Sequence, residues 1–230
     1  MKIKLLLCFL LLTNLSFTEM QEEEKEKASL IYIGDPMCSW CYGIAPDLST
    51  AIDSLGESIS VELVMGGLRP YNKETMADLK GFLTEHWKEV AKMSGQPFNY
   101  EVLDQLHWRY DTEPPSRAVL VVRQLKPEVE FDYFKAIQKA FYVDGKNTND
   151  DITYIELASE FGINPVTFSK LYDSPEMKQL VRKDFEYANS LGVRSFPSIV
   201  LKKGDAHYVI SNGYSSADKM VKMVNHYLEL

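Results

Sequence analysis

Cysteine is scarce in this chain. Its 230 residues hold three, at positions 8, 38 and 41. That excludes a small scaffold stapled by several disulfides. Histidine is almost as scarce: His86, His107, His207 and His226 stand singly, with no HxxxH spacing. A structural zinc site needs four ligands and one cysteine pair supplies two, so no metal is expected. Basic charge is also short. Lys and Arg number 25 against 33 Asp and Glu, a net charge of −8, and no basic stripe occurs. Nucleic acid is therefore excluded as a partner. No internal repeat is present, and no low-complexity tract beyond one short charge run. What remains is an ordinary globular composition, 45% hydrophobic, of a length that suits one domain with a substantial insertion or two small ones.

The N-terminus reads as a signal peptide over residues 1–18. Lys2 and Lys4 precede the apolar stretch Leu5 to Leu12, and polar Thr13, Asn14 and Ser16 follow. That stretch is too short to span a bilayer as a helix. The expected location is exported and periplasmic, or membrane-anchored if the segment is uncleaved, since no small-x-small cleavage site follows. Residues 19–28, with the run Gln-Glu-Glu-Glu-Lys-Glu-Lys at 21–27, read as a charged solvated linker. They leave too little room for an N-terminal dimerisation domain, and a monomer is expected. Cleavage would remove Cys8 and leave Cys38 and Cys41 alone. An oxidising compartment penalises spare thiols, so a retained pair has a task.

Ser29 to Ile33 is a β-branched and aromatic run ended by Gly34-Asp35-Pro36, hence a strand and a loop. From Cys38 the apolar positions Cys41, Ile44, Leu48, Ile52 and Leu55 keep helical spacing up to Gly56, with a kink expected at Pro46. Ile59 to Val64 alternates and reads as a second strand, parallel to the first. The 73–191 stretch is an all-helical insertion. Its periodicities predict helices over 76–93, 117–125, 132–143, 152–161, 165–172 and 175–191. Strands at 198–201 and 207–210 then form a hairpin, and Ser215-Ser216-Ala217-Asp218 opens a last helix. Residues 29–72 and 192–230 together make the β-bearing domain.

The pair at 38 and 41 admits three readings. Zinc lacks ligands. A structural bridge closing so short a loop removes little unfolded-state entropy and adds little stability. A redox-active dithiol fits best. A CxxC after a strand seats Cys38 at a helix N-terminus, where free N–H groups and the dipole favour a thiolate. Cys38 would be the exposed nucleophile, and Cys41 the buried thiol that resolves a mixed disulfide. Asp35 is a loop cap or a proton acceptor. A second feature is Ser195-Phe196-Pro197, with proline directly before a strand, which suggests a tight cis turn.

The segments DPMCSWCYG, GGLRP, EPPSRAVLVVRQL and the run from GINPVTFSK to RSFPSIVL resemble the DsbA family of thiol-disulfide oxidoreductases, over nearly all of residues 29–228. The centre Cys-Ser-Trp-Cys and GGLRP are more similar to its FrnE-like subgroup. The resemblance implies an α/β thioredoxin fold, with the helical domain inserted between β-CxxC-α-β and β-β-α halves. It implies a redox-active Cys38–Cys41 disulfide and no other cofactor. Substrates would be unfolded or cysteine-containing polypeptides, held against Ser195, Phe196 and cis-Pro197, with a membrane redox partner to recharge the pair. Met37, Trp40, Tyr42 and Phe196 would line an apolar substrate surface or pack in the core, and for Tyr42 the core reading is at least as good. Ser39 and Trp40 stand where strongly oxidising DsbA has Pro-His, so a weaker oxidant is expected. Arg69 and Arg117 satisfy carbonyls or bind anions. The glutathione-dependent 2-hydroxychromene-2-carboxylate isomerase branch uses a serine, and both cysteines here argue against it. A peptide-binding chaperone is the other alternative.

Overall fold

A computed structural model describes residues 28–230. The expected signal segment and all of the expected linker but Ala28 lie outside the described residues. Four strands, β1 (Ser29–Gly34), β2 (Ser60–Met65), β3 (Ser198–Lys203) and β4 (Ala206–Asn212), form one sheet in the order β2-β1-β3-β4. β1 and β2 are parallel, whereas β3 runs antiparallel to both β1 and β4. The helices are α1 (Ser39–Leu55), α2 (Met76–Ser94), α3 (Glu113–Leu125), α4 (Glu130–Tyr142), α5 (Asp151–Glu160), α6 (Pro165–Tyr172), α7 (Pro175–Ser190) and α8 (Ala217–Glu229). This is the expected thioredoxin fold with helices α2–α7 inserted between its halves.

Period two along the strands divides the core. Leu30, Tyr32, Leu63, Met65, Ile199 and Leu201 join a large cluster with α1, α8 and much of the insert. Their neighbours Ile31, Ile33, Val64 and Val200 point to the other face and pack with Ala188 and Val193. β1 and β3 are buried on both faces, which is why they read as unbroken apolar runs. β2 lies at a sheet edge, and polar side chains occupy its outer backbone groups. Arg123 Nη2 donates to the Leu63 carbonyl at 2.6 Å, and the Met65 N–H donates to Asp184 Oδ2 at 3.0 Å.

Several helix boundaries differ from the periodicities for local reasons. α3 starts at Glu113, so Pro114 and Pro115 lie in its first turn rather than ahead of it. First-turn N–H groups have no intrahelical acceptor, so proline costs nothing there. α1 runs unbroken through Pro46. Proline cannot donate to the Tyr42 carbonyl one turn back, and Gln96 Nε2 donates to it instead at 3.2 Å. Asn164 and Ser174 cap α6 and α7 as expected. Ser216 is the N-cap residue of α8 as expected, but its side chain makes no capping hydrogen bond. Asp47 of α1 accepts the Ala217 N–H at 3.0 Å and also the Tyr214 hydroxyl at 2.8 Å.

Candidate active site: a dithiol facing a cis-proline loop

Cys38 is the N-cap residue of α1, with extended backbone (φ −86°, ψ 115°). It sits there because Asp35-Pro36-Met37 turns the chain out of β1, closed by the Cys38 N–H on the Asp35 carbonyl at 3.1 Å. The first turn of α1 holds no acidic residue, so no carboxylate competes for its free N–H groups. The expected exposed nucleophile is in fact nearly covered. Cys38 is 5% accessible and Cys41 0%, and both are free thiols. The reason is the facing loop: the Phe196–Pro197 peptide is cis, and Cys38 Sγ lies 3.6 Å from the Phe196 carbonyl, to which the thiol donates.

The Phe196 ring is half-buried and lies against Gly66, where an added Cβ would sit 2.2 Å from a ring carbon. The first glycine of GGLRP is thus a ring-clearance position. Pro197 is buried. Ser195 is exposed, its hydroxyl donating to Asn212, and Ser198 ties the loop from beneath through the Ser195 carbonyl at 2.8 Å. Trp40 is half-buried at the mouth, edge-on to His86 of α2 at 5.8 Å and 6.0 Å from Tyr214. Ser39 is buried at the start of the helix.

The structure places two of the expected apolar contacts, Met37 and Tyr42, in the core. Met37 is 0% accessible and packs among Trp87, Phe141 and Tyr142 of the insert. Its carbonyl accepts the hydroxyls of Tyr142, at 2.6 Å, and Tyr110, and its sulfur accepts that of Thr148 at 3.4 Å. Drawing that side chain out to meet a substrate would forfeit about 2 kcal/mol of burial, besides stripping the sulfur of its donor. Met37 is an anchor of the loop. Tyr42 stacks on Tyr142 at 4.9 Å, and its hydroxyl donates to Pro97 O at 3.1 Å, which makes it core. Arg117 pairs with buried Glu113 and donates to Tyr172 O at 2.7 Å. Arg69 pairs with Glu74.

Asp35 is fully buried. Its carboxylate accepts the N–H groups of Met37 (2.9 Å) and Leu68 (2.8 Å). Burial pushes its pKa up to about 6, with these bonds and one from Thr112 pulling partly back. It is both a loop cap and a group that titrates near the dithiol. Burial, then the hydrogen bond and charge of Cys38, push the Cys41 thiol well above its ordinary range. The Tyr32 hydroxyl of β1 donates to the Cys41 carbonyl at 3.4 Å. Tyr32, Tyr110 and Tyr142 escaped the reading of the sequence. Each is remote in sequence from the contact it makes or sits in no motif, so no local signal marks it. Among the described residues no group of three His, Cys, Asp or Glu side chains could hold a metal ion.

A helix-capping CxxC under a cis-proline on a thioredoxin fold defines the thiol-disulfide exchange class. The chain belongs to the family of the DSBA-like thioredoxin domain, whose sequence profile matches residues 34–225. A Nitrosomonas europaea protein described as a protein disulfide isomerase is 32% identical, with a TM-score of 0.81 over 89% of this chain and 98% of that one. The cytosolic disulfide reductase DsbM from Pseudomonas aeruginosa is 25% identical, with a TM-score of 0.73 over 87% and 98%. The ClpXP adapter protein SpxH of Bacillus subtilis is 20% identical over 193 residues. That match takes in 81% of this chain and spans 62% of that relative. The family's chemistry runs on a redox-active cysteine pair without a further cofactor.

Proposed function

We propose that the protein exchanges its Cys38–Cys41 disulfide with cysteines of polypeptide substrates. The observation that carries this reading is the thiol of Cys38, at a helix N-terminus and 3.6 Å from the carbonyl preceding cis-Pro197, with Cys41 sealed behind it. An extended segment lies along the cis-proline loop, held by backbone groups as an added strand is. In the oxidising direction a substrate thiolate attacks Cys38 Sγ, the Cys38–Cys41 bond breaks, and Cys41 leaves with the electron pair and takes a proton. A second substrate thiolate then attacks the substrate sulfur of the mixed disulfide and displaces Cys38, so two electrons and two protons pass to the enzyme. In the reducing direction Cys38 thiolate attacks a substrate disulfide, and Cys41 displaces the substrate from Cys38.

Ser39 and Trp40 tune the potential in this reading, and Trp40, Ser195 and Phe196 contact the substrate. Export rests on residues 2–12 and would place a recharging partner in the membrane. The DsbM neighbour is cytosolic and has also been solved with GSH, which makes glutathione a candidate small-thiol partner. A Cys41→Ala variant decides the matter: it should accumulate polypeptides disulfide-linked to Cys38, and their identity reports substrate, compartment and direction together. No trapped adduct, with full biological activity of Cys38→Ala, would favour the chaperone reading instead. Titration against glutathione is expected to give a potential below that of DsbA.

A further inference from the structure

Two hydroxyls of the helical insert converge on one backbone oxygen beside the redox pair. The Met37 carbonyl accepts the hydroxyls of both Tyr142, the last residue of α4, and Tyr110, ahead of α3. Both phenols are buried, at 0% and 2% accessibility. A buried carbonyl needs one donor to be satisfied, and phenylalanine would fill either space at less desolvation cost. Two hydroxyls on one oxygen therefore exceed what packing requires. That oxygen belongs to the same peptide unit as the Cys38 N–H, which closes the turn on Asp35. Two O–H dipoles with their positive ends on this peptide draw electron density toward the oxygen, away from the Cys38 side. In a site that excludes water such an effect is strong. Burial opposes ionisation of both phenols first, and a charge on Cys38 opposes it further.

We propose that Tyr110 and Tyr142 are positioning residues for the exchange reaction, holding the Met37–Cys38 peptide so that the Cys38 thiol stays at the α1 N-terminus, facing the cis-proline loop. This rests on the reading of Cys38 as the nucleophile. It makes the insert part of the redox centre as well as a neighbour of it.

The test uses the full chain, with Tyr110→Phe, Tyr142→Phe and the double variant, and Tyr154→Phe as control. The Tyr154 hydroxyl donates to Thr148 O, is equally buried, and does not touch residue 37. The pH dependence of iodoacetamide alkylation is read on the Cys38 peptide by mass spectrometry, beside the equilibrium constant with glutathione. Each single variant should slow alkylation of Cys38 two- to threefold at neutral pH, and the double about tenfold. The glutathione equilibrium should move with it toward the disulfide, a tenfold change being about 30 mV. Tyr154→Phe should leave both unchanged. The inference is overturned if both single variants titrate as wild type, or if Tyr154→Phe moves the curve as far. If the double variant does not fold, the singles decide, since each keeps one donor. A wild-type Cys38 no more reactive than an ordinary thiol would overturn the nucleophile reading itself, an outcome visible before any tyrosine is changed.

Discussion

Asp35 is the residue whose chemistry depends most on where the chain puts it. In an unfolded chain its carboxyl titrates near 3.9; in the fold, burial lifts it to about 6. The folded pKa is the higher one, so this group's contribution is fully present below pH ~4 and is lost as pH rises through 6. Two units correspond to about 3 kcal/mol. Asp35→Asn keeps the shape and stays neutral throughout. Its stability relative to wild type, from urea unfolding of the reduced proteins, should therefore rise by about 2–3 kcal/mol between pH 4 and 7. A difference that stays flat across that window would mean that Asp35 is ionised at no cost. The same variant tests proton transfer, since the Asp35 charge opposes ionisation of Cys41. Without it, release of a trapped substrate by Cys41 should lose its pH dependence around 6.

At the scale of elements, Asp47 shows how one side chain ties two helices and the loop between β4 and α8 together. From within α1 it caps α8 through the Ala217 N–H and fixes the Tyr214 hydroxyl, whose ring lies 6.0 Å from Trp40. Asp47→Ala should cost about 1 kcal/mol, the worth of one helix cap. For a chain of this size that is a fall of about 2–4 °C in Tm. Because Tyr214 loses its anchor as well, Trp40 emission should change in the same variant, whereas a cap lost elsewhere would leave it alone. Unchanged Tm and emission would show the cap to be idle. Caps also mark the limit of what the sequence makes legible. Asn164-Pro165 and Ser174-Pro175 are readable because the capping side chain is a neighbour of the helix it caps. Asp47 reaches across 170 residues to Ala217, and no local pattern encodes that reach. The site divides the same way. Cys38, Cys41 and the cis turn at Pro197 announce themselves through turn chemistry beside a strand. Met37 reads as surface because its motif is exposed in outline, yet the insert's phenols pull it inward. The direction a loop side chain takes is a tertiary fact.

At the scale of the molecule, the insert is joined to the sheet by a common core. The largest cluster runs from β1, β2 and β3 through α1 and α8 into α3, α4, α5, α6 and α7, so neither half closes a core alone. The polar counterpart is Arg123 of α3, which holds Glu130 of α4 at 2.6 Å, Asp184 of α7 at 3.0 Å and the Leu63 carbonyl of β2. Burial pushes both carboxyls up despite the guanidinium that pulls them down. Removing the cation therefore leaves two half-desolvated anions rather than one lost bond. Arg123→Met should cost about 3 kcal/mol, the low end for breaking a buried pair, because the Arg123 side chain is 31% exposed. The loss should shrink as pH falls, because burial raises both carboxyls and makes them easier to protonate, and should be partly recovered by adding Asp184→Asn and Glu130→Gln. With the core shared, far-ultraviolet dichroism, which reports mostly the insert's helices, and pulsed alkylation of buried Cys38 and Cys41 should follow one unfolding curve in wild type and variant alike. Two separated transitions would mean that the insert folds on its own. In that case the grip of Tyr110 and Tyr142 on Met37 would be a contact between two units and not a property of one.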